Sequence, residues 1–596
     1  MKRPRGIRAA LLALALLAGV MLGPPRAAAQ GAAAAGQRHE VAVENGVRVK
    51  MRDGVTLAAD VYRPKGEGKY PVLVERTPYN RKGDFAMAHE LASHGYVIVL
   101  QDTRGRFDSG GEFYPFMHEA EDGYDTVEWA AALPQSDGRV GMFGGSYVGA
   151  TQMLAATAAP PHLAAIFPYV TASEYYDGWT YQSGALMQWF ASSWTTGLTV
   201  DTLRRKAAER SRPKEWVSQL PAESYKLLDP PPVKELAPYF ADWLRHERSD
   251  DYWRRWKVSD HYPRMNVKAL HAGGWNDLFV KGSIKNYTGL RAAGPAAVRE
   301  GQRLLIGPWA HAATSPEGKI GDVVYGKAAV LNMTETARKW FDFALKGVQN
   351  EYAAEPPVRI FIMGENVWRS EREFPLARTR YTKYFLHSAR GAGGVRGDGR
   401  LDLSPPAGER PDSFTYDPLN PVPTVGGRLC CGDALPPGPF DQRPNESRED
   451  VLVFSTPPLE ADVEVTGYVT AELYAATSAP DTDFTMMLVD VSPDGYARYL
   501  TDGIVRARYR ETTDRAEPIT PGRVYKYDLD LWVTSNLFKA RHRIRLYVSS
   551  SNFPRFSRNP NTGEPSATAA RFVKAGQTIY HDASRPSSVT LPVIPR

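Results

Sequence analysis

The short apolar run Val140-Gly141-Met142-Phe143 breaks into Gly144-Gly145-Ser146-Tyr147-Val148-Gly149, and a helical pattern runs on from Tyr147 to Ala158. A strand that becomes a helix within so few residues must turn sharply, and small neighbours let the backbone bend and the next helix pack close. Such a turn lifts its serine above the edge of a sheet. The spacing is a variant of G-x-S-x-G, with the last glycine one residue late. This strand–turn–helix unit fits only a sheet whose strands alternate with helices.

The flanking sequence agrees. Tyr70 to Arg76 reads as a buried strand, Ala86 to His94 as a helix stopped by Gly95, and Tyr96-Val97-Ile98-Val99-Leu100 as a strand buried on both faces. Asp125 to Leu133 has helical spacing. The order predicts a parallel sheet covered on both sides. From 172 to 265 the strand alternation stops and aromatics crowd in, among them Trp179, Trp189, Trp194 and Trp243; this reads as a helical insertion. Strands resume at Val267 to His271 and Gln302 to Ile306, and a helix over 335–346 closes the unit. Beyond about 355 the pattern is of short strands between Pro/Gly-rich turns, as in a sandwich or jelly roll. The expected organisation is a core over 40–171 and 266–352, an insertion over 172–265 and a β domain over 353–596.

Residues 1–29 have the parts of a secretory signal: a cationic start from Lys2 to Arg8, an apolar run from Ala9 to Leu22, and Ala27-Ala28-Ala29 before Gln30. The run is short for a membrane span. The expectation is a secreted or periplasmic protein with no membrane span once the leader is removed. The formal charge of +6 largely resides there: Lys2, Arg3, Arg5, Arg8 and Arg26 precede position 30, no acid does, and the remainder is within one charge of neutral. That removes the basic stripe a nucleic-acid partner would need. The two cysteines, Cys430 and Cys431, are adjacent; they make neither a metal site by themselves nor a disulfide framework, and could pair with each other or stay as thiols. No function is expected of them.

Two further loops follow predicted strand ends. Gly273-Gly274-Trp275-Asn276-Asp277 comes after the strand ending at His271, and Gly307-Pro308-Trp309-Ala310-His311 after the one ending at Ile306. In an open α/β sheet the carboxyl ends of the strands share one edge, so Ser146, Asp277 and His311 can converge there. Their chain order is the one this architecture uses for a serine nucleophile, its orienting acid and its base. The bland readings are a helix-capping Asp277, a loop His311 and an idle Ser146. His271 and His261 are rival bases, but one sits inside an apolar strand and the other lacks a strand end beneath it.

These motifs resemble the CocE/NonD hydrolases, the serine-hydrolase group with cocaine esterase, α-amino-acid ester hydrolases and glutaryl-cephalosporin acylases, related to the X-Pro dipeptidyl-peptidases. Arg76-Thr77-Pro78-Tyr79, Gln101 to Arg106, Gly144 to Gly149, Gly274 to Asp277 and Gly307 to His311 fall in family order, as do Asp417 to Thr424 and Ser549 to Pro554 toward the end. The resemblance implies an α/β-hydrolase core with a helical cap and a C-terminal jelly roll. It implies Ser146 as nucleophile, His311 as general base, Asp277 as its orienter, and an oxyanion site from the Tyr79 hydroxyl and the Tyr147 N–H. Asp102 and Arg104 are read as a structural ion pair. The ester hydrolases that take α-amino acids carry acids just after the triad aspartate; here Leu278, Phe279 and Val280 follow, which disfavours an α-amino ester, and an apolar or aromatic acyl group suits the aromatic insertion better. Trp275 and Trp179 are the candidate substrate walls. No metal or organic cofactor is implied, the expected partner is a small ester or amide, and a homo-oligomer is left open. Two alternatives stand: a dipeptidyl- or aminoacyl-peptidase using Glu174 and Asp177 to hold an α-amine, and a non-catalytic carbohydrate-binding protein.

Overall fold

The computed structural model describes residues 38–210, 233–311, 315–432 and 434–596. The proposed leader, residues 1–29, lies outside them. His39–Arg596 forms one compact unit. Among the described residues, no helix is long and apolar enough to cross a membrane.

The first sheet has ten strands: β1 (Val41–Lys50), β2 (Thr56–Pro64), β3 (Tyr70–Thr77), β4 (Val97–Asp102), β5 (Ser136–Gly145), β6 (Leu163–Tyr169), β7 (Lys268–Gly274), β8 (Gln302–Gly307), β9 (Val358–Ile362) and β10 (Val367–Glu371). Their spatial order is β1-β2-β4-β3-β5-β6-β7-β8-β9-β10. The seven from β4 to β9 run parallel, and the outer strands pair antiparallel. Alternate residues of β3 serve opposite faces. Val72 and Val74 join one apolar cluster and Leu73 joins another, which is why these strands read as unbroken apolar runs. Helices α1 (Phe85–Ser93), α2 (Glu119–Ala131), α3 (Tyr147–Thr157), α4 (Gln188–Arg210), α5 (Val280–Ala293) and α6 (Met333–Ala344) are the main helical segments up to residue 352.

One expected boundary is corrected. Val358–Ile362 was expected in the β domain that begins at 353, but it is β9 of the first sheet, paired in parallel with β8 through Leu304 and Val358. Parallel neighbours need a crossover between them, and α6 is that crossover, so the unit could not end with the helix.

The insertion between β6 and β7 is mostly helical, with a two-residue hairpin at Tyr181–Gln182 and Ala185–Leu186. Its aromatics chiefly pack on one another: Trp179, Trp194, Trp243 and Trp253 are all buried in one cluster. The rest of the chain is mostly β. Its longest pairing is antiparallel, Val463–Thr477 with Tyr525–Phe538, over its own apolar core. A further cluster, with Trp275, Ile306, Phe361, Trp532 and Leu537, contains residues of both the first sheet and this domain.

Candidate active site

Ser146, Asp277 and His311 follow β5, β7 and β8 at the carboxyl edge of the parallel sheet. His311 lies between the other two. Its Nε2 is 2.9 Å from Ser146 Oγ and its Nδ1 is 2.5 Å from Asp277 Oδ2. Asp277 is fully buried. A carboxylate only accepts, so Nδ1 carries the proton toward Asp277 and Nε2 keeps a lone pair facing the serine hydroxyl.

The turn at Ser146 is built by its glycines. Ser146 sits at φ 59°, ψ −126°, a left-handed conformation costly for a residue with a side chain. Its N–H donates to Tyr169 O at 2.9 Å, and its carbonyl accepts from Gly149 and Ala150 as α3 begins. A Cβ on Gly144 would lie 2.2 Å from Val148 Cγ1, and one on Gly145 would lie 2.1 Å from the Tyr169 ring. A Cβ on Gly149 would meet Thr171 at 2.7 Å. The late glycine is therefore where this chain needs the room.

Asp277 has two tasks. Oδ1 accepts the Phe279 N–H at 2.7 Å, just ahead of α5, so the local turn reading holds as well. Oδ2 remains for His311. The Phe279 ring meets the imidazole edge-on, with centroids 5.3 Å apart, and stacks on Trp179 at 4.4 Å. That packing limits rotation of the imidazole.

Tyr79 follows β3. Its hydroxyl accepts the Trp194 Nε1–H at 2.8 Å and lies beside the Ser146 side chain and the Tyr147 backbone, both of which favour its charged form. Tyr79 is 42% exposed over the whole residue, but desolvation of its hydroxyl end raises the phenol from the ordinary tyrosine value, against the opposing effect of those interactions. Tyr147 lies in the first turn of α3, where backbone N–H groups have no helical acceptor. Its own side chain is tied elsewhere, donating to Glu119 Oε1 at 2.9 Å and accepting from Phe116 N. The Tyr79 phenol and the start of α3 at Tyr147 thus lie beside Ser146.

A cavity of about 570 Å³ opens in front of these groups. One face of α4 lines it, with Trp194, Leu198, Asp201 and Arg204; Arg106 and Phe107 line it from the loop after β4. Cys430 and Cys431 reach it from the β domain, joined to each other as a disulfide.

Several expected residues lie elsewhere. Trp275 is fully buried, its Nε1–H donating to Phe361 O at 2.7 Å, and packs near Phe374 under the sheet end, away from the cavity. Gly274 and Gly307 leave room for Trp309, which a Cβ at either position would meet within 2.5 Å. Trp179 is also fully buried, behind Phe279 rather than on the cavity wall. Asp102 does not pair with Arg104. It takes the Arg81 N–H and guanidinium, while Arg104 pairs with Asp122 and Asp53. Glu174 is engaged by Lys285, and Asp177 by Lys281 at 3.2 Å. The rival His271 is buried in β7, bonded to Gln302 Oε1, and burial drives its imidazole down to about 4.

Trp194, Leu198, Asp201, Arg106 and the two cysteines were not singled out from the sequence as site residues. A signal for α4 existed: Phe190, Trp194 and Leu198 recur every fourth residue, the period of one helix face. No local pattern pointed to the cysteines, which come from a distant loop of another domain.

Comparison with known families and structures gives a consistent picture. Residues 53–313 match the X-Pro dipeptidyl-peptidase (S15 family) model, and residues 350–590 match the X-Pro dipeptidyl-peptidase C-terminal non-catalytic domain. Cocaine esterase from Rhodococcus sp. (strain MB1 Bresler) is 37% identical over 578 residues, covering 93% of this chain and 99% of that protein. An aminopeptidase from a marine sediment Thaumarchaeota archaeon superposes with a TM-score of 0.77 at 25% identity, covering 94% of this chain and 97% of that one. An α-amino acid ester hydrolase superposes with a TM-score of 0.74 at 25% identity, covering 96% and 99%.

Proposed function

The chain belongs to the CocE/NonD group of S15-family serine hydrolases, an α/β-hydrolase with a separate mostly-β C-terminal domain, and from that premise we propose that it cleaves carboxylic esters through a Ser146 acyl-enzyme. The observation that carries the reading is the placement of the His311 ring between Ser146 Oγ at 2.9 Å and Asp277 Oδ2 at 2.5 Å.

Serine is a poor nucleophile until a base takes its proton. His311 Nε2 accepts that proton as Ser146 Oγ attacks the acyl carbonyl. Asp277 holds the imidazole in the needed tautomer and stabilises the imidazolium that forms. The carbonyl oxygen becomes an oxyanion beside the Tyr79 O–H and the Tyr147 N–H. The tetrahedral intermediate then collapses, and the leaving alcohol takes its proton from His311. Water repeats the sequence in the second half, with His311 again as base, and releases the acid.

The apolar groups on the cavity wall, Trp194, Leu198 and Phe107 among them, support an apolar or aromatic acyl group. The peptidase alternative needs a free carboxylate for an α-amine. Glu174 and Asp177 are taken by lysines. Asp201 is the sole carboxylate among the described cavity-lining residues; it accepts the Phe107 N–H and lies 3.7 Å from Arg106. This favours esters over amine-anchored peptides. The cationic and apolar composition of residues 1–29 supports export to the periplasm or medium.

The test is turnover of p-nitrophenyl esters of graded acyl groups by the wild type and Ser146→Ala, with fluorophosphonate labelling. The wild type should label and turn over, and Ser146→Ala should do neither while keeping its circular dichroism spectrum. Near-normal turnover by the variant would sink the mechanism. Equal rates on an X-Pro anilide and its N-acetylated form would exclude an amine anchor; strong preference for the free amine would restore the peptidase reading.

A further inference from the structure

The Cys430–Cys431 pair belongs to the β domain, yet it forms part of the cavity wall beside His311. The two sulfurs and a ring nitrogen of His311 all lie within 4.8 Å of one another. Cys430 is buried and Cys431 is exposed to the cavity side, so the pair is both anchored and reachable. The loop bearing it is held from behind. The buried Arg428 guanidinium donates to Thr501 Oγ1 and to Val533 O, and its carbonyl accepts from Arg555. The donor atoms are therefore set by the fold rather than by a flexible tail.

We propose that, once the Cys430–Cys431 disulfide is reduced, Cys430, Cys431 and His311 form an inhibitory site for a thiophilic divalent metal ion such as Zn²⁺ or Cd²⁺. Reduction consumes two electrons and two protons. An external dithiol supplies both and leaves as its own disulfide; a phosphine supplies the electrons, takes an oxygen atom from water and leaves as its oxide. Binding of the ion then releases the two thiol protons and forms two metal–thiolate bonds. Two thiolates and an imidazole are the ligand set these ions favour, with a fourth position left for water. Zinc–sulfur bonds of about 2.3 Å in a tetrahedron put the sulfurs about 3.8 Å apart, so the two sulfurs, joined to each other in this structure, must separate by side-chain rotation once the disulfide is reduced.

The imidazole is prepared for the role. Nδ1 is committed to Asp277, which leaves Nε2 as the donor. A carboxylate behind a histidine in this way fixes the tautomer and makes the far nitrogen a better ligand. Nε2 is also the atom that accepts the Ser146 proton, so an ion bound there removes the base. The inhibition half of the proposal rests on the catalytic reading above; the binding half does not.

The experiment uses the whole chain, reduced with a phosphine, desalted without air and titrated with Cd²⁺. Two quantities are followed: the ultraviolet cadmium–thiolate charge-transfer band, with stoichiometry by native mass spectrometry, and ester turnover. The reduced wild type should bind one ion per chain, show the band and lose turnover in step, with recovery on adding EDTA. The oxidised wild type and Cys430→Ser/Cys431→Ser should show no band and keep their own metal-free turnover. Absence of the band in the reduced wild type, or equal inhibition of the oxidised enzyme, would overturn the proposal without any use of the variant. A band with unchanged turnover in an active enzyme would also overturn it, because His311 would then not be a ligand. An enzyme inactive before metal is added would count against the catalytic reading, and the same titration on Cys430→Ser/Cys431→Ser and on His311→Ala would still decide the binding by the band and the affinity.

Discussion

The Tyr79 hydroxyl shows how one residue's chemistry depends on its neighbours. A phenol can donate to an oxyanion only if its proton points there, and Trp194 helps to set that direction by donating its Nε1–H to the oxygen at 2.8 Å. Tyr79→Phe deletes the oxyanion donor itself, and kcat should fall about 10²- to 10³-fold with little change in KM. Trp194→Phe keeps an aromatic wall but removes the N–H. The loss of one hydrogen bond worth roughly 1 kcal/mol should lower kcat about fivefold. Ester kinetics on both variants decide the matter. A Trp194→Phe effect confined to KM would mean that the indole only contacts substrate. Tyr79 was legible only through the family resemblance carried by Arg76-Thr77-Pro78-Tyr79. Trp194 stayed among a dozen other tryptophans, since its partner is 115 residues away and no local pattern links them.

At the scale of elements, the glycines decide whether the loops can meet. Gly149 lies one turn into α3 with Thr171 against it, and an alanine there would bring a Cβ to 2.7 Å from Thr171 Cβ. Gly149→Ala should push α3 outward and cost roughly 1–3 kcal/mol of stability, with loss of activity beyond that explained by unfolding. Urea titration with activity measured in the native baseline tests this; unchanged stability and activity would show that the contact relaxes freely. The strand–turn–helix unit was readable because its signals are local: an apolar run, then glycines, then a 3.6-residue period. The same reading misplaced Val358–Ile362, whose neighbour in space, β8, lies some fifty residues earlier. It also assigned Trp275 to the substrate because it adjoins Asp277 in the chain. Its side chain instead points into the core, where its Nε1–H donates to Phe361 O of a strand 86 residues on.

Across the whole molecule, the sheet and the β domain share a core. Trp275, Ile306 and Phe361 pack in one cluster with Trp532 and Leu537, and the Met363 backbone donates its N–H to Ser535 O and accepts the Leu537 N–H at its carbonyl. Such a joint should make the two parts unfold together, so calorimetry should give one transition; two well-separated ones would show the joint to be weak. Acid should expose a second global property. His271 is buried in the middle of the sheet, and burial lowers its imidazole to about 4 from an ordinary value near 6.5, with the Gln302 contact opposing. The unfolded chain then binds a proton between about pH 6.5 and 4 that the folded chain does not, so stability falls as pH drops through that window. The shift corresponds to a loss of roughly 3 kcal/mol by the bottom of the window. His581 has the opposite sign: burial works against its charge, but Asp412 and Glu409 outweigh that and raise it, so its contribution fades as pH rises. Replacing His271 with Gln removes the titrating group while leaving an amide to meet Gln302. The variant need not match the wild type at neutral pH. What should change is the slope: between pH 6.5 and 4 its urea midpoint should drift less than that of the wild type. Parallel slopes would mean that the imidazole finds a proton inside the fold, and that the sheet opens there more readily than its packing implies.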